Sequence, residues 1–169
     1  PFFPSGTEDF RQTLQLAKKG DAEAQHKLGL FYERGEQVPR NYVEAAKWFR
    51  KAADQEHSEA MMSLGRQYEN GYGAFERNYA EAAKWYYRAA MLGDDYGANS
   101  MGRTYLHGIG VEKDPIRAYV WFSQRKVWKD EYPKAIEVKL TKEQLRQAEL
   151  EANKLREEIR TNREAAERR

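Results

Sequence analysis

Cysteine is absent from the 169 residues, so the chain can hold neither a disulfide framework nor a thiolate-ligated zinc, and a small secreted fold stapled by bridges is excluded. Long apolar runs are missing as well. The longest, Ala118 to Phe122, is about a quarter of the ~20 residues needed to cross a bilayer, and no apolar stretch of leader type stands near the start. No membrane span is expected. Charge of one sign is not in excess either: 29 Lys and Arg stand against 27 Asp and Glu, a net of +2. General nucleic-acid or membrane-surface binding, which needs a single-sign field, is disfavoured. Large aliphatics and Phe are scarce, with 11 Leu, 4 Ile, 6 Val and 7 Phe. That scarcity signals disorder only when net charge is high, which it is not. The chain starts at proline rather than methionine, which fits a removed leader as well as a trimmed chain.

What is present instead is 21 Ala together with 22 aromatics, of which 11 are Tyr, 7 Phe and 4 Trp. This mixture suits closely approaching helices, with Ala and Gly as holes and rings as knobs. The pattern repeats. Leu28-Gly29, Tyr32 and Gly35 recur as Leu64-Gly65, Tyr68 and Gly71, and as Met101-Gly102, Tyr105 and Gly108, the leading glycines 36 and then 37 residues apart. In step with them, Ala45-Ala46-Lys47-Trp48-Phe49 returns as Ala82-Ala83-Lys84-Trp85-Tyr86 and as Ala118-Tyr119-Val120-Trp121-Phe122. A fixed period of that length signals a stack of like units, each too thin to bury its own apolar face.

Each unit resolves into two helices. Ala24, Leu28 and Tyr32 fall four apart on one stripe, as do Ala60, Leu64 and Tyr68, and the spacing is helical. Gly35, Gly71 and Gly108 follow as expected left-handed C-caps. The second helix is expected to start at Asn41 with Glu44, at Asn78 with Glu81, and at Asp114 with Pro115. Gly29, Gly65 and Gly102 lie inside the first helix at a cost of about 1 kcal/mol each relative to Ala, so close approach of a neighbouring element must require them.

The run of Ala, Leu-Gly, Tyr, Gly, a short loop, Ala-Ala-x-Trp and Ala-Ala resembles the Sel-one-like repeats, relatives of the tetratricopeptide repeats. It covers about Gly20 to Phe122. The third unit departs: Gly97 stands for Ala, Met101 for Leu, and Arg125-Lys126 where Ala52-Ala53 and Ala89-Ala90 stand earlier. Charges there imply that no further ordinary repeat packs on that surface. The resemblance implies an all-α, right-handed α-solenoid of antiparallel helix pairs with a long C-terminal capping helix. One domain is expected over 1–169: a capping helix at 7–19, repeats at 20–55 and 56–93, a diverged repeat at 94–126, and C-terminal caps at 127–169. Within the last, Pro133 to Leu140 is expected as a short helix. Thr141 and Gln144 form a capping box, and Leu145, Ala148, Ala152, Leu155, Ile159 and Ala166 share a seven-residue row with Asn162, weakening past Ile159, where fraying or dependence on a partner is expected. The tail could also pair with a second copy of itself.

Gly71-Tyr72-Gly73 and Gly108-Ile109-Gly110 are not phosphate loops, since they close one helix before another opens rather than following a strand. His26, His57 and His107 lack short ligand spacings, so no metal and no cofactor is expected. No nucleophile elbow or Walker motif occurs, and no enzyme is expected. With the first helices on the concave side, as the resemblance implies, the inward positions are Glu23, His26, Leu30, Glu33 and Arg34, then Glu59, Met62, Arg66, Glu69 and Asn70, then Tyr96, Asn99, Arg103, Leu106 and His107. Arg, Tyr, Met and Leu among mixed charges suit a polypeptide with acidic and apolar groups. The expected function is a protein-binding scaffold or adaptor. The alternatives are an inhibitor or immunity protein that neutralises a bacterial enzyme or toxin, and, further off, a helical-repeat RNA reader, which would need a basic inner face. The resemblance also suggests a bacterial protein, periplasmic or secreted, with the cytoplasm as the other choice.

Overall fold

Helix ends in this chain are set by local side chains. A computed structural model describes residues 6–73, 75–125, 132–137 and 139–168, and every element among them is helical. They are α1 (Gly6–Lys18), α2 (Ala22–Arg34), α3 (Tyr42–Ala53), α4 (Ser58–Asn70), α5 (Tyr79–Met91), α6 (Asp95–His107), α7 (Pro115–Phe122), α8 (Tyr132–Glu137) and α9 (Lys142–Glu167). The first helix of each repeat begins at equivalent N-caps, Asp21, His57 and Asp94, whose side chains accept from the backbone N–H of Ala24, Ala60 and Gly97. Gly35, Gly71 and Gly108 close those helices in the left-handed region, at φ of 73°, 70° and 69°. Asn41 and Asp114 cap α3 and α7 as expected. A further bond recurs with the period: the backbone N–H groups of Asn41, Asn78 and Asp114 donate to the carbonyls of Tyr32, Tyr68 and Tyr105 at 2.8, 2.8 and 2.9 Å. It closes the loop that follows each first helix back onto that helix.

The helices form two compact units that divide between Asn78 and Tyr79, inside the second repeat. In the first unit α1 packs on α2, α2 on α3 and α3 on α4. Its core joins Ala17, Ala24, Leu28 and Phe31, covered by Phe10, Leu14, Tyr32, Val38 and Trp48. Phe49, fully buried, lies where a Cβ at Gly29 would stand, which is the close approach that the interior glycine serves.

In the second unit α5 packs on α6, α6 on α7, and α7 on both α8 and α9. Gly102 repeats the arrangement of Gly29, against the ring of Phe122. Ala118, Tyr119, Val120 and Phe122 of α7 form one cluster with Ile136, Ala148 and Ala152, flanked by Leu140, Leu145 and Leu155. From Leu145 to Leu155 the seven-residue row of the tail is thus packed on its own chain. Thr141 and Gln144 make the expected capping box. Past Ile159, α9 continues as helix to Glu167. Where its apolar row weakens, Arg160 pairs with Glu157 at 2.6 Å and Arg163 with Glu167 at 3.5 Å. Of the expected helix over 133–140, residues up to Glu137 are helical and Val138 lies outside the described residues.

Candidate functional site

Glu23, His26, Leu30 and Arg34 occupy successive turns of α2, and Glu59, Met62, Arg66, Glu69 and Asn70 those of α4, so the spacing that buries Leu28 and Leu64 sends these residues the other way. Within the first unit a polar chain links the two helices. His57 Nε2 lies 3.0 Å from Glu23 Oε2, and His57 Nδ1 accepts the Ala60 N–H at 3.3 Å, so Nε2 carries the proton donated to Glu23. Glu59 Oε2 stands 3.3 Å from the same Nδ1. The ring of His26 packs against those of His57 and Phe49, with centroids 4.9 and 5.6 Å away. Burial, followed by the neighbouring His57, pushes its pKa down to about 4, so His26 is neutral at pH 7. Ser63 Oγ sits 3.4 Å from His26 Nε2 and accepts from Arg66 Nη2 at 3.1 Å; Arg66 also lies 3.9 Å from Glu33. Arg66 keeps half of its side chain exposed, and Asn70 donates to its carbonyl at 2.9 Å. Met62 and Leu30 are half-buried, Glu69 likewise, and Arg34 is exposed beside Glu36.

In the second unit the corresponding row on α6 is Tyr96, Asn99, Arg103, Leu106 and His107. Tyr96 is 77 % exposed, the most open large apolar side chain among the described residues. Arg103 and His107 are exposed and Asn99 half-buried. Leu106 is half-buried and packs against the cluster of α7, α8 and α9. The same unit holds a cleft of about 510 Å³ between the α5–α6 turn, the end of α7 and α9, lined by Arg125, Arg156, Arg160 and Arg163 and by Asp94 and Asp95. Arg125 is buried there under the capping helix, where a further repeat would otherwise begin. Lys126 lies outside the described residues.

By their spacing along the chain the three histidines are isolated, and for His107 no clustering is seen among the described residues. His26 and His57 are brought together with Glu23, their ligand-type atoms all within 4.8 Å of one another. The signal for this is split in two halves: Glu23-x-x-His26 places two donors on one helical face, and His57 takes the N-cap position that Asp21 and Asp94 hold in the other repeats.

The Sel1 repeat family model matches residues 22–57, 58–94 and 96–124. A Sel1 repeat protein from Oxalobacter formigenes of known structure is 45 % identical, with a TM-score of 0.61 over 66 % of this chain and 46 % of its own. The protective antigen c5321 of uropathogenic Escherichia coli, 23 % identical, shares the fold at a TM-score of 0.56 over 94 % of this chain and 43 % of its own. Among curated proteins, the ERAD-associated E3 ubiquitin-protein ligase component HRD3A of Arabidopsis thaliana is 40 % identical over 67 residues. The chitin synthase regulator SKT5 of Saccharomyces cerevisiae is 42 % identical over 57. The matches span 39 % and 34 % of this chain but only 10 % and 8 % of those proteins. The relatives come from bacteria, a plant and a yeast, so the fold does not assign a bacterial source.

Proposed function

The chain belongs to the Sel1 repeat family, and from that premise we propose that it works as a non-enzymatic scaffold that binds another protein through the outward rows of its first helices. The observation that carries the reading is Arg66, a half-exposed guanidinium oriented by Ser63 and set one turn from Met62. An arginine with its planar fork held in place, beside an adaptable thioether, is the kind of group that anchors the centre of a protein interface. Arg103 and Tyr96 on α6 provide a comparable pair in the second unit. The polypeptide they suit carries carboxylates and apolar side chains. Acidic residues within the same rows, Glu23, Glu33, Glu59 and Glu69, weigh against a phosphate backbone as partner. The curated relatives are named as a component of one enzyme assembly and a regulator of another enzyme, which agrees with a role exercised through partners. The same surface would serve an inhibitor that neutralises an enzyme.

The test is affinity capture from the native cell with Arg66→Glu and Arg103→Glu, separately and together. Loss of a specific partner, with circular dichroism and melting unchanged, is the expected result. A folded double variant that keeps its partner at wild-type affinity would move binding to another surface.

A further inference from the structure

We propose that Glu23, His26 and His57 bind a divalent transition-metal ion of the zinc type. The donors are two imidazole nitrogens and one carboxylate oxygen, a set that selects Zn²⁺, Ni²⁺, Co²⁺ or Cu²⁺ over the oxygen-seeking Mg²⁺ and Ca²⁺. Two histidines and a glutamate with one position left open is also a donor set that zinc accepts in tetrahedral geometry. Ligand atoms of the three residues lie within 4.8 Å of one another, and His57 Nε2 and Glu23 Oε2 are 3.0 Å apart. Bonds of about 2.0–2.1 Å in a tetrahedron place donors about 3.3 Å apart, so closing the set takes up to about 1.5 Å of movement. Glu23, whose side chain is 81 % exposed, has room to adjust. The two rings are held: His26 against Phe49, His57 at the start of α4 with only 11 % of its side chain exposed.

His57 gives the site a second layer. As it stands, Nδ1 accepts the Ala60 N–H and Nε2 carries the proton. An ion on Nε2 requires the proton on Nδ1, so the long 3.3 Å cap bond is given up. Nδ1–H then donates to Glu59, whose Oε2 already stands 3.3 Å away. A carboxylate behind a ligating histidine fixes the tautomer and raises ligand basicity. One proton leaves Nε2 and one is taken up at Nδ1, so His57 changes tautomer without a net change in charge. Glu23 and His26 lie on α2 and His57 caps α4, so the ion would staple two first helices of the same unit.

The experiment is isothermal titration of the purified full chain with zinc chloride, with nickel and magnesium chloride alongside. One zinc per chain, nickel binding, and no magnesium response are expected. His57→Asn retains an N-cap former where Asp21 and Asp94 serve in the other repeats, so it should fold and melt as the wild type while zinc affinity falls at least about tenfold. His26→Ala and Glu23→Gln should weaken zinc as well, and Glu59→Gln should weaken it by about tenfold while leaving one ion per chain. On zinc addition, ¹⁵N spectra should move the His57 proton from Nε2 to Nδ1. Absence of zinc binding by the folded wild type, or wild-type affinity in folded His57→Asn and His26→Ala, would overturn the proposal.

Discussion

Substituting alanine for a glycine inside a helix ordinarily adds about 1 kcal/mol, because alanine loses less backbone freedom. Gly29 should reverse that sign. A Cβ built there stands 2.4 and 2.5 Å from two ring carbons of Phe49 and 3.1 Å from a third, where unstrained carbon pairs sit at about 3.5–4.0 Å. The ring must therefore retreat by about 1 Å. It has nowhere to go, since Phe49 is fully buried, with Ala45, Ala52 and Ala53 of its own helix equally inaccessible. Overpacking of this degree costs about 1–3 kcal/mol. After the propensity gain, Gly29→Ala should be destabilising by up to about 2 kcal/mol. Gly102 offers the same test in the second unit, its Cβ meeting Phe122 ring atoms at 2.6, 2.7 and 2.8 Å. Urea unfolding followed by circular dichroism measures both. A double-mutant cycle isolates the contact: Phe49→Leu thins the side chain where the Cβ intrudes, so the double variant should be more stable than the summed single effects by about 1 kcal/mol. If Gly29→Ala raises the midpoint, or the cycle shows no coupling, the close approach is not what requires glycine there.

Three further outcomes are expected. The pKa of His26 is about 4 when folded against its ordinary 6.5, so the unfolded chain takes up the proton first as pH falls; this contribution is full above about 6.5 and is lost toward 4. Discounted for the ring's partial exposure, it amounts to about 1–2 kcal/mol, and His26→Gln should flatten the slope of stability between those pH values. Deleting the chain from Thr141 onward uncovers the α7 surface that Ala148 and Ala152 bury, so melting should fall by several degrees and a hydrophobic dye should bind; unchanged melting would show that α9 is not a structural cover. Trp85→Ala, at 6 % exposure, should cost about 3–5 kcal/mol, whereas Arg66→Ala should change stability by under about 0.5 kcal/mol; equal urea midpoints would reverse the assignment of faces.

Much of this fold is legible in the chain because the signals that shape it are local. The period, the left-handed glycines, the caps at Asn41, Asp114 and Thr141, and the seven-residue row of α9 each depend on residues within one or two turns of each other. The full extent of α9 is less legible for a related reason: apolar spacing thins past Ile159, but pairs such as Arg160–Glu157 continue the helix without it. Leu106 illustrates the converse. Its place in the repeat sets it in the outward row, while its packing comes from the cover that α7, α8 and α9 form in the last repeat and that inner repeats lack.

The sequence by itself determined the repeat helices, their caps, the stacking unit and the residues that can be buried, since each follows from a periodicity of about 3.6 residues or from the repeat of 36 to 37. Only the tertiary structure decided which polar side chains meet. Glu23 and His57 are 34 residues apart, and their 3.0 Å contact arises because His57, as the N-cap of α4, is set beside the first turn of α2. Such a contact depends on the offset between packed helices. That offset is fixed by the summed shapes of Ala, Gly and Phe in the core, and no spacing along the chain records it.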